Sequence, residues 1–324
     1  MSKYTGIDVS KATLDAAFFD EGSDKWEQTC VSNDLAGYKE LVSWLPEGTQ
    51  VAMEATGPYY VQLATYLYEH GYTVSVVNPL QVKRYSQMKL SRAKTDAVDA
   101  RVIAEYAAAG KAGAWAPDDK AITQLRQLHT ALESIDKQIS MNQNQLEAFT
   151  STGVTEPFLM KELKSLLASL KAKKKKLEAH IEKLVASQYR ETAGLLRSVP
   201  GIGPRSAALI IIVTNNFQKF SNHKQLIAFV GLSPTIRQSG TSIKAAGGIC
   251  KMGNPQVRRA LYMASLSAAK KLPAARAMSE RMKAKGKPGK VINIAIANKL
   301  LKTAFAVVNK KQAFDQIYQP KPCF

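Results

Sequence analysis

The chain has 324 residues, 45% of them hydrophobic, which is enough for two or three domains with buried cores. No run of about 18 apolar residues suggests a membrane span, and the polar start MSKYTGIDVSK is not typical of a signal peptide. Cys30, Cys250 and Cys323 form no CxxC pair, so we expect a reducing cytosol and neither a disulfide framework nor structural zinc.

The formal net charge of +19 is unevenly distributed along the chain. Residues 1–118 carry a net charge of −4, residues 119–190 carry +4, and residues 191–324 carry +19. We predict a domain for each of these ranges. An acidic first domain joined to a strongly basic last domain indicates carboxylate chemistry brought to a polyanion, although basic surfaces also serve solubility.

The first range alternates between strand and helix patterns. We predict strands over 4–9, 13–20, 29–31, 49–57 and 72–79, and helices over 34–45, 58–70 and from 96 onward. Asn33 is the predicted cap of the first helix. The order β-β-β-α-β-α-β-α is typical of a ribonuclease H-like fold, in which the first and fourth strands lie side by side and parallel.

Four carboxylates are expected to converge in that fold. Asp8 and Glu54 would emerge at the same edge of the sheet, where ligands gather in such folds. Thr95 can cap a helix that presents Asp96 and Asp99 on one side. Taken singly, these acids could be turn, surface or helix-dipole residues. Together they would repel one another unless cations neutralise them, and oxygen ligands suit Mg²⁺ or Mn²⁺. Two such ions about 4 Å apart can hold a phosphodiester.

The middle range has the pattern of two long helices. Leucine or isoleucine recurs every seven residues from Leu125 to Leu146, and leucine does so again from Leu163 to Leu184, after a break at 151–157. We predict a helical hairpin or coiled coil, with a plain helical linker as the alternative. Seam-like Asn142, Lys173 and His180 would make self-association selective. The lysine run at 171–176 is a solvated face or a phosphate contact.

The last range is mainly helical by pattern. Residues 195–213 carry PGIG between two helices, which resembles a helix-hairpin-helix element whose backbone N–H groups can hold a phosphate. A routine helix connection explains PGIG almost as well. Ser239 follows, in a loop rich in Ser, Gly and Thr, where a Ser-Gly pair is usually only a turn. The residues expected to contact nucleic acid are Arg101, Gly201, Gly203, Arg205, Arg237, Lys244, Arg258, Arg259, Lys285, Lys287 and Lys290.

Seven motifs occur together along the chain: GIDVSK, MEATGPYY, KTDAVDAR, SVPGIG, FVGLSP with QSG, GNPQVRRALYMA and GKPGKV. In this order they resemble the transposases of the DEDD-serine insertion-sequence class, which includes bridge-RNA-guided recombinases and pilin-gene invertases. The resemblance implies a RuvC-like first domain, a coiled-coil middle and a C-terminal transposase domain. It also implies that Asp8, Glu54, Asp96 and Asp99 bind metal and that Ser239 is the nucleophile.

The chemistry that the resemblance implies is strand exchange through a phosphoserine link. Since a serine hydroxyl needs activation, Ser239 would have to be docked beside the acids, which lie in another domain. In similar recombinases the site is composite within a tetramer formed from dimers. The implied partners are donor and target double-stranded DNA, together with a structured bridge RNA that selects the sites by base pairing, in a bacterial cytosol.

Other interpretations remain open from the sequence. A Holliday-junction-type nuclease would use the same acids with water as the nucleophile, and an invertase could act without a guide. GIDVSK also resembles the first phosphate loop of actin-like ATPases, but no second DxGG loop follows. A non-catalytic nucleic-acid-binding protein would share the basic charge.

Overall fold

The computed structural model describes residues 4–89, 95–239 and 243–315, with backbone alone for 111, 236–239 and 243–247. The chain divides into two compact units, Met1–Pro117 and Asp118–Phe324. The predicted division of the second unit into a middle and a last domain stays a prediction.

The first unit is built on a five-stranded mixed sheet. Its strands are β1 (Tyr4–Val9), β2 (Thr13–Asp20), β3 (Lys25–Ser32), β4 (Gln50–Glu54) and β5 (Thr73–Val77). Its helices are α1 (Leu35–Trp44), α2 (Tyr60–Glu69), α3 (Pro79–Met88) and α4 (Asp96–Tyr106), which a π-helical turn at Ala107–Lys111 extends. The strand order is β3-β2-β1-β4-β5. Strand β1 pairs antiparallel with β2 and parallel with β4. This confirms the prediction that the first and fourth strands lie side by side and parallel.

Helices cover both faces of this sheet. On one face, Ile7 and Met53 pack with Leu41 of α1 and with Leu63 of α2, all of them fully buried. On the other face, Ala52 packs with residues of α4, the helix that begins at Asp96. This second face is the one on which the predicted acids meet.

Two local predictions about this unit were wrong. The cap of α1 is Asp34, which accepts hydrogen bonds from Ala36 N and Gly37 N, whereas Asn33 donates to Ser10 O. Helix α3 was missed, although Asn78 caps it and Pro79 occupies its first turn. The dipeptide Asn78-Pro79 is a typical helix start, but the sequence of α3 is short and polar and lacks a clear apolar stripe.

Helix α4 crosses β1 at a glycine. A Cβ atom at Gly6 would lie 2.1 Å from the carbonyl oxygen of Ala100 and 2.4 Å from the nitrogen of Ala104. No side chain other than hydrogen fits between the strand and the helix. Gly6 therefore allows the close approach that brings the start of α4 over the end of β1.

We expect Gly6→Ala to destabilise the first unit by about 3 kcal/mol, because backbone atoms on both sides must move apart. Denaturant unfolding, followed by tryptophan fluorescence, measures this change. Gly22→Ala is the matched control, since the nearest atom to its Cβ is 3.6 Å away. Equal stability of the two variants would contradict the close approach.

The second unit is mostly helical. Its elements are α5 (Lys120–Ser151), α6 (Pro157–Gln188), α7 (Arg190–Ser198), α8 (Pro204–Thr214), α9 (His223–Val230), β6 (Pro234–Ser239), β7 (Ile243–Ile249), α10 (Pro255–Lys271), α11 (Pro273–Ala284) and α12 (Gly289–Asn309). A short turn joins α5 and α6, each of 32 residues. Ile139 of α5 packs with Leu167 and Leu170 of α6, so the two helices run back along each other, and coiled-coil geometry stays a prediction.

The beginning of α5 and the end of α6 belong to the core of the second unit. Leu125 and Ile181 are buried in one cluster with Leu196 of α7, Ile211 of α8 and Leu300 of α12. Within the described part of the chain, α12 alone is long and apolar enough to cross a membrane. Its buried side chains pack into this core, which explains its apolar sequence without a bilayer.

The predicted Ser-, Gly- and Thr-rich loop is instead largely a two-stranded hairpin. Strands β6 and β7 pair antiparallel, with Ser239 opposite Ile243 at the far end. At the base, Cys250 N donates to Ser233 O over 2.8 Å, and Thr235 Oγ1 donates to Gly248 O over 2.8 Å. The sequence has no clear alternation there, which is why the strands were missed.

Candidate active site

Asp8 and Glu54 lie near the carboxyl ends of two neighbouring parallel strands. The last register pair between β1 and β4 is Ile7 with Met53, and each acid is the next residue of its strand. Side chains at matched positions of parallel strands point to the same face. Asp8 also shares the face of Gly6, two residues earlier, so it lies on the face that α4 covers.

The first turn of α4 supplies two more acids. Thr95 caps the helix, its Oγ1 accepting from Val98 N over 3.3 Å, and Asp99 N donates to Thr95 O over 2.9 Å. One carboxylate oxygen each from Asp8, Asp96 and Asp99 lies within 4.8 Å of the other two. The structure thus brings together three of the four predicted acids from two distant segments.

The fourth predicted acid, Glu54, affects the pKa of Asp8. Burial, followed by the charges of Asp96, Asp99 and Glu54, raises the pKa of Asp8 to about 6. A hydrogen bond to the backbone of Val9 acts in the opposite direction on that pKa. Glu54 lies outside the group of three close oxygens, and its Oε1 accepts a hydrogen bond from Thr56 Oγ1 over 3.2 Å. Its carboxylate therefore adds negative charge near Asp8 without belonging to the group of three.

The donor set fits a hard divalent cation. The three close side chains offer only carboxylate oxygens, which suit Mg²⁺ or Mn²⁺ better than zinc. Asp8 and Asp99 are half-buried, whereas Asp96 is exposed, so the cluster is open to solvent on one side. An open side is what a site needs if a phosphate is to reach the same ion.

Strand β2 adds a further acid that the sequence analysis did not single out. Asp15 is the register partner of Asp8, and Cys30 on β3 is the register partner of Asp15. Burial, then the charge of Asp15 and a hydrogen bond to it, raises the pKa of the Cys30 thiol. The alternation of β2, seen together with its pairing to β1, was the signal that could have found Asp15.

Arg101, predicted to contact nucleic acid, is engaged within the first unit. Its Nη2 donates to Gln28 Oε1 over 2.8 Å, and its guanidinium lies 5.7 Å from the ring centroid of Trp26. Gln28 in turn donates from Nε2 to Ala97 O over 2.9 Å. Sequence reasoning missed Gln28, because nothing in the local pattern of β3 links it to a helix about seventy residues later.

Arg205, another predicted nucleic-acid contact, is held by acidic side chains of the second unit. It forms ion pairs with Asp136, with Glu133 at 3.5 Å and with Glu178 at 3.5 Å. Lys174, within the lysine run, pairs with Asp136 at 2.7 Å. These contacts connect the start of α8 to both long helices.

We expect Arg205→Ala to reduce stability by about 1 kcal/mol, because three carboxylates lose a shared, partly exposed partner. DNA affinity should change less than about twofold. Lys285→Ala is the contrasting variant, since Lys285 is exposed, and there we expect weaker DNA binding at unchanged stability. Thermal unfolding and a filter-binding titration measure the two effects. A large affinity loss in Arg205→Ala alone would contradict this assignment.

The other predicted contacts divide into anchored and exposed residues. Arg258 is anchored, since its Nη1 donates to Val230 O over 2.8 Å next to the β6–β7 hairpin. Arg259 has a side chain 69% exposed, 3.8 Å from Glu133. The remaining exposed cations are Lys285, Lys287 and Lys290.

The PGIG turn combines packing with an open helix start. Gly201 has φ 102° and faces Ala264 O, which lies 2.6 Å from where a Cβ would be. Gly203 caps α8 and has no atoms within 4 Å of a Cβ position among the described residues. The first glycine is thus needed for packing, and the second leaves the helix terminus accessible.

Ser239 occupies the last position of β6, and Arg237 lies two residues earlier on the same strand. Lys244 on β7 is the register partner of Gln238. The side chains of these predicted residues lie outside the described part of the chain. The backbone nevertheless places the predicted nucleophile in the second unit and the acids in the first.

The mixed sheet, the acid cluster at its edge and the basic second unit are typical of an enzyme that acts on nucleic acid. Residues 5–152 match the family model DEDD_Tnp_IS110, described as "Transposase", and residues 193–280 match the "Transposase IS116/IS110/IS902 family". The chain is 31% identical over 326 residues to the "Pilin gene-inverting protein" of Moraxella lacunata, covering 98% of this chain and 99% of that one. The chain belongs to the IS110 family of transposases and is a DNA recombinase or transposase.

Two further comparisons are more distant. The "Transposase for insertion sequence element IS1111A" of Coxiella burnetii is 24% identical over 290 residues, covering 80% of this chain and 76% of that one. A solved structure, "T. thermophilus RuvC in complex with Holliday junction substrate", is 17% identical with a TM-score of 0.28, covering 36% of this chain and 100% of that one. The fold class of the first unit rests on its strand order and register.

Proposed function

We propose that this recombinase cleaves and exchanges DNA strands through a phosphoserine link at Ser239, with divalent cations held by Asp8, Glu54, Asp96 and Asp99. The single observation that carries the proposal is the convergence of Asp8, Asp96 and Asp99 within 4.8 Å. Burial, followed by the charges of the neighbouring acids, raises the pKa of Asp8, so keeping the cluster ionised is costly in the absence of a cation. Mg²⁺ or Mn²⁺ suits these oxygens, and a pair of ions suits phosphodiester transfer.

The role of each residue follows from its chemistry. When bound, the cations neutralise the negative charge that develops on the phosphate. The Ser239 Oγ forms a bond to phosphorus and loses its proton, while the bond from phosphorus to the 3′-oxygen breaks and that oxygen gains a proton. A 3′-hydroxyl of another strand then attacks the phosphoserine. Its oxygen forms a bond to phosphorus and loses its proton, while the bond from phosphorus to Ser239 Oγ breaks and Oγ regains a proton. Since one phosphodiester is always retained, no ATP is required.

The proposed site is composite. Ser239 belongs to the second compact unit and the acids to the first, so the two must be brought together for catalysis. We include assembly of dimers into a tetramer, through α5 and α6, in the proposal. Val154, in the turn between these helices, is 84% exposed, and Phe158, in the first turn of α6, is 71% exposed, which supplies apolar surface for association. Asn142, at 8% exposure, already donates to Gln138 O of its own helix, while Lys173 and His180 are exposed.

The proposed partners are donor and target double-stranded DNA and a structured guide RNA. The net charge of +19 over residues 191–324 supports binding to phosphate backbones, which carries no sequence information of its own. A protein that reads backbone and shape needs another source of sequence selection. Base pairing by a bridge RNA supplies it.

A guide-free invertase is the second candidate, because relatives at 31% and 30% identity over nearly the whole chain are called pilin gene-inverting proteins. Sequencing of the RNA that co-purifies with the protein separates the two. One discrete structured RNA, required for recombination of a two-site plasmid in vitro, is the result expected of guided recombination. Recombination by RNase-treated protein would favour the invertase.

A further inference from the structure

The helix that carries Asp96 and Asp99 is attached unevenly to the sheet. Its later residues, such as Ile103 and Ala104, are buried against the sheet, and Glu105 pairs with Lys89 at 2.5 Å. Its first turn is only partly covered, and Asp96 is exposed. The position of the carboxylates therefore depends on what holds that first turn.

Gln28, a side chain of β3, bonds this turn. Its Nε2 donates to Ala97 O over 2.9 Å, and its Oε1 accepts from Arg101 Nη2 over 2.8 Å. Ala97 and Arg101 are one turn apart on α4, so one amide bonds two successive turns of the helix. Trp26, two residues before Gln28 on the same face, supports the Arg101 guanidinium at 5.7 Å.

The chemistry of an amide suits this position. A lysine or arginine in contact with Asp96 or Asp99 would neutralise the carboxylates and compete with a cation. A neutral amide fixes the backbone of the helix and leaves their charge in place. Arg101 keeps a buried Nε that has no acceptor among the described residues. Burying this donor has a cost, which the hydrogen bond to Gln28 and the cation–π contact with Trp26 must offset.

We propose that Gln28 is a positioning residue for the acid cluster: with Arg101 and Trp26 it holds the first turn of α4 so that Asp96 and Asp99 face Asp8. The proposal rests on the proposed function, since it concerns the same acids. It also assigns Arg101 to this attachment and not to nucleic-acid contact. Residues that hydrogen-bond directly to metal ligands typically change metal affinity by about 10- to 100-fold. Gln28 acts on the backbone that carries Asp96 and Asp99, so we expect an effect at the lower end of that range.

Hydrogen exchange of the cation-free protein is the first test. In Gln28→Ala the amides of residues 99–101 should exchange at least about tenfold faster, with the buried later part of α4 unchanged. Gln28→Glu should behave similarly, because a carboxylate can accept from Arg101 but cannot donate to Ala97 O. Glu27→Ala, an exposed change on the opposite face of β3, is the control and should exchange like the wild type. Unchanged exchange in Gln28→Ala would overturn the proposal.

Calorimetric titration with Mn²⁺ is the second test. Gln28→Ala should bind at least about tenfold more weakly, with melting temperature and DNA affinity close to those of Glu27→Ala. Equal Mn²⁺ affinity in these two variants would overturn the proposal. Asp8→Asn distinguishes failure of this proposal from failure of the proposed function. Normal Mn²⁺ binding by Asp8→Asn would contradict the metal site itself. The exchange result still decides whether Gln28 holds the helix.

Discussion

Asp8→Asn is expected to reduce strand cleavage by on the order of 10³-fold and, at the same time, to stabilise the cation-free protein at neutral pH. The loss of activity follows because the amide removes a negative charge from the group of three close carboxylates that we propose hold the cation. The gain in stability follows because it also removes the charge that burial and three other acids disfavour. Cleavage of labelled DNA and thermal unfolding measure the two effects.

The stability effect of Asp8→Asn has a defined pH dependence. The pKa of Asp8 is raised from 3.8 to about 6 in the folded protein, so the folded state holds this proton more tightly than the unfolded state. The free energy of unfolding therefore falls as the pH rises from about 4 to about 6, and it stays lower above that. Since Asp8 is only half-buried, we expect Asp8→Asn to gain about 1 kcal/mol at pH 7.5 and nothing below pH 4.

Cation binding supplies the matching control. Mn²⁺ should raise the melting temperature of the wild type at pH 7.5 and leave that of Asp8→Asn unchanged. Asp24→Asn makes the same chemical change in an exposed turn, at φ 55°, which asparagine tolerates, and should alter neither stability nor cleavage. A destabilised Asp8→Asn that still responds to Mn²⁺ would contradict the metal site.

The sheet and the acid cluster could be predicted because their signals are local. Alternation and strand order placed β1 beside β4, which put Asp8 and Glu54 at one edge. The Thr95 cap, with its first-turn acids, placed Asp96 and Asp99 on one side of α4. These features depend on short sequence patterns and on the rules of parallel sheets.

The hydrogen bonds and ion pairs of Gln28 and Arg205 could not be predicted, because they join segments that are remote in sequence. Gln28 meets α4 only after β3 has paired with β2 at the sheet edge, and no pattern near residue 28 indicates a helix partner. Arg205 resembles a phosphate contact from its place after PGIG, yet acids on α5 and α6 hold it. Basic residues can serve folding or binding, and only the neighbouring side chains decide between them.

Ser239→Ala is expected to abolish the covalent protein–DNA intermediate and to lower strand exchange by about 10⁴-fold or more, as removal of a nucleophile does in other enzymes. Ser239 ends β6 opposite Ile243, and alanine can occupy that backbone position, so the fold should be kept. DNA affinity should be unchanged. Denaturing gels of 5′-labelled and 3′-labelled suicide substrates would measure the adduct.

Ser233→Ala makes the same change at the base of the hairpin, where the hydrogen bond from Cys250 N is to a backbone carbonyl, and should keep the adduct. The adduct should also break in alkali, because a serine phosphodiester undergoes β-elimination whereas a tyrosine link does not. A Holliday-junction-type nuclease, which uses water, would cleave equally well with Ser239→Ala and form no adduct in either protein. Retained cleavage by Ser239→Ala would identify water as the nucleophile in place of a side chain of the second unit. The acids of the first unit would then need no docked serine for cleavage.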